Sequence, residues 1–172
     1  MRFATGTSHR RTRVARGAGA LRAFAAASLL AAACAGDAMA REDIAGIWFD
    51  DTGRGAIEIV PCGAAACGRV VWLRQPRDSR GEPLRDHNNP VPKQRDRPIC
   101  GMPVIWGLRP QADGSWDNGR IYDPKVGKSY DVAVTRIGAG RLRITGYLGT
   151  KLFSRDLIWQ RAPAELPRCS AN

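Results

Sequence analysis

Apolar and polar side chains alternate along most of the chain beyond residue 40, with the two-residue period of a half-buried β-strand. Between residues 128 and 137, for example, Tyr130, Val132 and Val134 share one face and mostly polar side chains share the other. No helical pattern interrupts these segments, which argues against a parallel α/β sheet. Strands are predicted at residues 44–50, 56–60, 69–73, 103–108, 119–122, 128–137, 141–146 and 152–161. The pattern therefore predicts an all-β, antiparallel, up-and-down barrel or a sandwich.

The first and last strands favour the barrel. Gly46 and Trp48 lie in the first predicted strand, and Arg161 ends the last one. A closed barrel leaves no strand edge exposed, so its first and last strands must pair. We expect Trp48 to plug the base of the barrel and the guanidinium of Arg161 to lie across its ring.

One segment, residues 75–101, breaks the alternation. It contains five prolines and many charged residues. Asp86, Asn88 and Asn89 lie within it, and such side chains commonly hydrogen-bond their own backbone in turns. A connection of this length is either a lid over the mouth of the barrel or an Ω-loop that packs on itself.

Residues 1–40 have the pattern of an export signal. An arginine-rich start precedes an apolar run from residue 23 to 35, and Ala38-Met39-Ala40 is a small-x-small cleavage pattern. We expect cleavage after Ala40, a single barrel domain over residues 41–172 with a C-terminal tail at 162–172, and a periplasmic or secreted protein. The alternative is a lipoprotein acylated at Cys34, and membrane contact is expected only in that case.

Charge and cysteine content agree with export. The net charge of +11 falls to about +6 when residues 1–40 are removed. The expected location disfavours nucleic acid as a partner. Cys62, Cys67, Cys100 and Cys169 then remain, and they allow three pairings. The short loop of small residues between Cys62 and Cys67 favours a local bridge, which leaves Cys100 to pair with Cys169. Each bridge typically contributes ~2–4 kcal/mol of stability. A zinc site is the alternative.

Aromatic side chains are the candidate lining of a ligand cavity, because they combine apolar area with polar tips. The candidates are Trp72, Trp106, Tyr122, Tyr130 and Tyr147. The alternative is that these side chains fill a small barrel completely.

Catalytic and metal chemistry find little support. His87 is the one histidine after residue 40, and no Gly-x-Ser-x-Gly motif is present. Asp86, Asn88 and Asn89 offer oxygen ligands for calcium, but turn formation explains the same residues. Asp123-Pro124 followed by Gly127 is typical of a hairpin turn. We expect no cofactor, no metal and no enzymatic activity.

Several motifs together resemble the bacterial domain-of-unknown-function 2147 family. They are Gly46-x-Trp48, Cys67-Gly68-Arg69-Val70-Val71-Trp72-Leu73, Asp86-x-Asn88-Asn89-Pro90, Arg97-Pro98 followed by Gly101, Gly119-Arg120-Ile121-Tyr122-Asp123-Pro124, Gly127-Lys128-x-Tyr130, Gly146-Tyr147-Leu148-Gly149, Leu152-Phe153 and Trp159-x-Arg161. The resemblance implies an exported, eight-stranded lipocalin-like (calycin) barrel and no particular activity.

The sequence thus predicts an exported barrel that binds a small, partly apolar ligand. The alternative is a cell-envelope protein with a packed barrel, which binds a partner through its long loop or basic surface. A third hypothesis is an enzyme that uses residues 86–89.

Overall fold

The computed structural model describes residues 44–169 as a barrel of eight strands. The predicted export signal and Cys34 lie outside the described residues. The strands are β1 Gly46–Phe49, β2 Gly55–Cys62, β3 Ala65–Leu73, β4 Pro103–Pro110, β5 Trp116–Asp123, β6 Lys128–Arg136, β7 Arg141–Leu148 and β8 Thr150–Arg161. Each strand pairs antiparallel with the next, and β1 pairs with β8 to close the barrel. The predicted all-β, eight-stranded antiparallel barrel is confirmed.

The barrel has two distinct ends. The connections β1–β2, β3–β4, β5–β6 and β7–β8 share one end, here called the mouth, while the start of β1 lies at the other end, the base. The ladder that closes the barrel is short, because β1 and β8 pair only at Trp48 with Arg161 and at Phe49 with Gln160. Among the described strands, none pairs with the β1 side of residues 150–159, so this part of β8 is an edge.

Trp48 and Arg161 close the base. The Trp48 side chain is fully buried, and its Nε1 donates a hydrogen bond of 2.9 Å to the carbonyl of Ile44. The Arg161 guanidinium carbon lies 4.3 Å from the centroid of the Trp48 ring, and its Nη1 donates to the carbonyl of Ala45. Gly46 has a φ of 126°, and any Cβ there would overlap the guanidinium. The glycine is thus required by the close approach of Arg161.

Packed apolar side chains fill the base half of the barrel. They include Trp48, Ile59, Leu108, Trp116, Val134 and Leu142, which are 0–1% exposed. This core follows directly from the alternation along the strands, because the same face of each strand points inward.

Two disulfides, Cys62–Cys67 and Cys100–Cys169, staple the fold. They are the pairs that the sequence favoured. The second bridge holds the C-terminal tail against the outer face of β2 and β3, where Cys169 also donates a backbone hydrogen bond to Val71. The tail, residues 162–169 of the described chain, is therefore part of the folded domain.

An ion-pair cluster also fixes the tail. Arg168 and Arg69 both donate to the carboxylate of Glu58, whose side chain is 14% exposed. The hydrogen bond from Arg168 lowers the pKa of Glu58 to about 2, with Arg69 reinforcing it and partial burial opposing it.

Candidate ligand-binding cavity

A cavity of about 1230 Å³ occupies the mouth half of the barrel. Its wall is mainly aliphatic and aromatic, and the deeper apolar residues are Ile57, Val70, Leu73, Val104, Ile121, Ile144, Leu157 and Trp159. The same inward alternation that packs the base supplies this wall. The barrel is thus solid at the base and hollow at the mouth.

The three tyrosines expected at a cavity, Tyr122, Tyr130 and Tyr147, line its wall. The hydroxyl of Tyr147 donates to Asp117 at 2.9 Å, and that of Tyr122 donates to Asp86 at 2.7 Å. Among the described residues, the Tyr130 hydroxyl has no hydrogen-bond partner. Tyr122 and Tyr147 therefore offer their rings to the cavity, and Tyr130 also offers a polar group.

Burial and a neighbouring carboxylate raise the pKa of two of these tyrosine hydroxyls. Partial burial, together with the hydrogen bond to Asp117, raises the pKa of Tyr147 to about 12. Burial and the hydrogen bond to Asp86 raise the pKa of Tyr122 above its ordinary value. Both phenols are consequently neutral at physiological pH and act as hydrogen-bond donors.

The two tryptophans expected at the cavity, Trp72 and Trp106, are not part of its wall, so this expectation was wrong. Ala56 pairs with Trp72 but Ile57 pairs with Val70, which leaves Val71 as an extra residue in β3. Such a bulge reverses the alternation, so Trp72 points outward and packs edge-on against Phe49, with ring centroids 5.4 Å apart.

Trp106 lies on the outer surface and is 42% exposed. Its neighbour Ile105 is fully buried in the core, so normal alternation places Trp106 outside. The pairings of Gly68 with Ile105 and of Arg69 with Pro103 make Val104 an extra residue, and Val104 lines the cavity. Because consecutive residues of β4 are apolar, the sequence alone did not indicate which of their side chains point into the barrel.

The long loop is anchored by a buried carboxylate, Asp86, which is 0% exposed. Oδ1 accepts the Tyr122 hydroxyl, and Oδ2 accepts Nδ2 of Asn89 at 2.7 Å and Nε of Arg97 at 2.9 Å. The Arg97 Nη2 lies 2.9 Å from the same oxygen. Asp86, Asn89, Arg97 and Tyr122 are called the Asp86 cluster below. Because these donors occupy the carboxylate, Asp86 serves to attach the loop to β5.

A second contact attaches the same loop to the β5–β6 turn. Nδ2 of Asn88 donates to the carbonyl of Lys125 at 2.9 Å. Gly127 has a φ of 67°, and a Cβ there would overlap the carbonyl of Asn88. Asp123 Oδ1 accepts the backbone N–H of Lys125, as expected for a hairpin turn. The glycine is therefore needed both for the turn and for the approach of the loop.

The loop packs on itself and also reaches the cavity. Leu84 and Ile99 are joined by a backbone hydrogen bond of 2.9 Å, and both line the cavity wall. Arg77, Asp78 and Ser79 line the cavity nearer the mouth. The two interpretations of the loop, self-packed or covering the mouth, thus describe different parts of it.

Charged residues surround the opening. Lys125 lies 3.6 Å from Asp50, and Arg80 lies 3.2 Å from Asp78. Asp50 and Asp78 also accept backbone N–H groups of their own turns. By contrast, four guanidinium groups that line the cavity have no ion-pair partner within residues 44–169, and these belong to Arg54, Arg74, Arg77 and Arg155. Two lining carboxylates, those of Asp51 and Asp123, have no ion-pair partner within the same residues either. The side chains that line the opening thus comprise five cations and four carboxylates, a small excess of positive charge.

Trp159 is an aromatic lining residue that was not expected from the sequence. Trp159 is 3% exposed, and its Nε1 is buried without a hydrogen-bond partner among the described residues. The alternation along β8 could have predicted it, because Leu157 and Trp159 share the inward face of that strand.

Between residues 44 and 169, no three His, Cys, Asp or Glu side chains are grouped as a metal site would require. Within the same residues, no helix has the length and apolar character to cross a membrane.

The fold is similar to that of HP1028 from the human pathogen Helicobacter pylori, described as belonging to the lipocalin family. The TM-score is 0.59 at 22% identity, and the match covers 71% of this chain and 84% of HP1028. The predicted lipocalin-like fold is thus confirmed. A search of curated proteins finds no match. The model of the family DUF2147, described as "Uncharacterized protein conserved in bacteria", matches residues 46–161. This chain belongs to the DUF2147 family.

Proposed function

We propose that the protein is an exported binding protein whose barrel holds a small, partly apolar molecule with an anionic group. The cavity of about 1230 Å³ is the observation that carries this proposal. Ligand sites typically enclose about 300–1,000 Å³ and combine an apolar wall with a few polar groups. A barrel packed throughout, as the alternative requires, would leave no such space.

The distribution of polar groups supports an amphiphilic ligand. The deep wall is apolar, while Arg54, Arg74 and Arg155 stand at the opening without ion-pair partners among the described residues. An apolar chain placed inside and an anionic group placed at the opening would satisfy both regions. Tyr130 provides one hydroxyl within the wall for a further polar contact.

Export is part of the proposal. Two disulfides within one small barrel are typical of proteins from oxidising compartments. Together with the export signal predicted at residues 1–40, they support a periplasmic or secreted location. Enzymatic use of the long loop finds no support, because the donors of the Asp86 cluster already occupy that carboxylate.

Binding is tested by titrating the protein with cis-parinaric acid, a fluorescent fatty acid. Leu157→Trp places an indole into the cavity, and Ile158→Trp places the same indole on the outer face of the same strand. We expect affinity to fall by about tenfold or more in the first variant and to stay within about twofold in the second, since 1.4 kcal/mol corresponds to tenfold. Equal affinity in both variants would show that the probe binds outside the barrel.

The anionic group is tested by comparing displacement by palmitate and by hexadecanol, which share the same chain length. Palmitate is expected to bind more tightly, and Arg155→Glu is expected to reduce that preference. If neither compound binds and native mass spectrometry of the protein from its own host shows no bound molecule, the alternative of an envelope interaction protein is favoured.

A further inference from the structure

The β7–β8 hairpin ends in three exposed apolar side chains. Leu148 is 63%, Leu152 is 87% and Phe153 is 79% exposed, and together they are called the apolar tip. Tyr147 pairs with Ser154, but the next pair joins Leu148 to Thr150, so residues 151–153 project from the ladder. Adjacent large apolar side chains with this exposure mark an interaction surface.

The apolar tip borders the opening of the cavity. Leu148 and Phe153 are lining residues, as is Arg155 on the same strand. In this region β8 has no strand partner on its β1 side among the described residues, since β1 pairs only with Gln160 and Arg161. The apolar surface of the tip is therefore continuous with the apolar wall of the cavity.

The carboxylates near the apolar tip are engaged by cations or by hydrogen-bond donors, which leaves a small excess of positive charge there. Lys151 pairs with Asp117 and lies 5.6 Å from the centroid of the Tyr147 ring. Asp131 pairs with Arg120 and accepts the backbone N–H of Gly149. Asp156 on β8 accepts the Thr145 hydroxyl and lies 3.7 Å from Arg143. Asp123 on β5 accepts the backbone N–H of Lys125 and is the register partner of Lys128. Each carboxylate beside the tip is thus engaged by another group.

Two cations of the neighbouring strands remain. Among the described residues, neither Arg155 nor Lys128 has an ion-pair partner, and both side chains are exposed. An apolar projection flanked by basic residues is suited to the boundary between lipid headgroups and acyl chains. Basic residues near an anionic bilayer strengthen its binding by electrostatic attraction.

We propose that the apolar tip docks the mouth of the barrel on an anionic lipid bilayer. Leu152 and Phe153 enter the headgroup region, and Arg155 and Lys128 contact anionic headgroups. Docking does not depend on the proposed ligand function, although it places the cavity opening next to the lipid. This route is independent of Cys34, through which alone the sequence predicted membrane contact.

A second copy of the chain is a less suitable occupant. Three side chains bury at most a few hundred Å², whereas a stable interface buries about 1,200 Å² or more. A symmetric contact would also bring the Arg155 and Lys128 groups of two copies together.

The test uses the protein as its host exports and processes it, in a Cys34→Ser background that excludes acylation. Vesicles contain either phosphatidylglycerol and phosphatidylethanolamine in equal parts or phosphatidylcholine alone. Binding is measured by sedimentation at low and high salt. The Leu152→Ser/Phe153→Ser double variant removes the tip, and Ile158→Ser removes an exposed apolar side chain elsewhere on β8.

We expect the double variant to lose about tenfold or more in affinity for the anionic vesicles, and Ile158→Ser to change it less than twofold. Arg155→Glu is expected to weaken binding about fivefold at low salt and little at high salt. Equal binding by the double variant and the parent protein would overturn the proposal, as would equal affinity for phosphatidylcholine vesicles.

A readout at the tip itself separates docking from any contribution of residues 1–40. In Phe153→Trp, brominated lipids should quench the introduced indole, whereas in Ile158→Trp they should not. Equal quenching in the two variants, or self-association that the double variant abolishes, would overturn bilayer docking. Leu157→Trp, which fills the cavity, should still bind vesicles, so the failure of docking and the failure of ligand binding are distinguishable.

Discussion

Replacement of Asp86 by alanine should destabilise the barrel, although this residue lies in the long loop and not in a strand. The carboxylate is fully buried and accepts hydrogen bonds from Tyr122, Asn89 and Arg97. Asp86→Ala would remove the acceptor that these three donors share, and Asn89 Nδ2 would keep only its 3.5 Å contact with Oε1 of Gln94. An enzyme that used Asp86 for catalysis would instead lose activity with little change in stability.

The magnitude follows from the exposure of the three donors. Breaking a buried ion pair by removing one partner costs about 3–5 kcal/mol. The Arg97 side chain is 35% exposed and can regain water, whereas Tyr122 is 7% and Asn89 is 3% exposed. A buried donor without a partner costs about 1–3 kcal/mol. We therefore expect Asp86→Ala to lower the free energy of unfolding by about 3–4 kcal/mol.

Urea unfolding followed by tryptophan fluorescence measures this loss, with circular dichroism to verify the barrel. Asp96→Ala is the matched control, because Asp96 is an exposed carboxylate in the same loop, and we expect a change below about 0.5 kcal/mol. A double-mutant cycle with Tyr122→Phe should give a coupling energy of about 1 kcal/mol or more. If Asp86→Ala were as stable as Asp96→Ala, the structural role of the Asp86 cluster would be refuted.

Three further predictions concern stability. Trp159→Phe should change the free energy of unfolding by less than about 1 kcal/mol, because it removes a buried donor that has no partner among the described residues. Trp48→Phe should lower that free energy by about 2 kcal/mol, because the hydrogen bond to the Ile44 carbonyl is lost. Comparable losses of the two variants in urea unfolding would contradict this. Gly127→Ala should cost clearly more than Gly138→Ala, since both have positive φ but only Gly127 faces a carbonyl; equal melting temperatures would contradict it. Glu58 has a lowered pKa of about 2, so its contribution is complete above its unfolded value of 4.5 and is lost as pH falls from there towards 2. Glu58→Gln should thus be less stable than the parent by about 1 kcal/mol at pH 7, a value that allows for solvent screening of the exposed arginines. This difference in the free energy of unfolding should disappear as the pH falls to about 2, and a difference that stayed constant with pH would contradict the prediction.

The strand order and the closure of the barrel were predictable because they depend on patterns that local sequence carries. The two-residue alternation survives in most strands, and the first and last strands of an antiparallel barrel must meet. Trp48 and Arg161 could be assigned to the base because closure brings the first and last strands together, where a ring and a guanidinium can stack. The steric reason for Gly46, the close approach of the guanidinium, is visible only in the structure.

The cavity wall was less predictable because bulges shift the alternation without a clear sequence signal. The extra residue Val71 turns Trp72 outward, and the extra residue Val104 puts two consecutive apolar side chains of β4 inside. Aromatic character was an incomplete guide to the wall, because all but one of its deeper apolar residues are aliphatic. The apolar tip was missed because residues 152 and 153 were assigned to an ordinary strand, whereas they project beyond the ladder.

Three of the motifs that resemble the DUF2147 family meet at one place in the structure. Asp86 contacts both Arg97 and Tyr122, which are 11 and 36 residues away along the chain. These contacts lie between Leu84 and Ile99, whose side chains complete the cavity wall. The motifs therefore hold the cavity wall in place, with Tyr122 in the wall and Asp86 and Arg97 outside it. Asp86→Ala should consequently weaken cis-parinaric acid binding even in protein that remains folded, although Asp86 does not line the cavity, because the loop would no longer hold Leu84 and Ile99 in the wall.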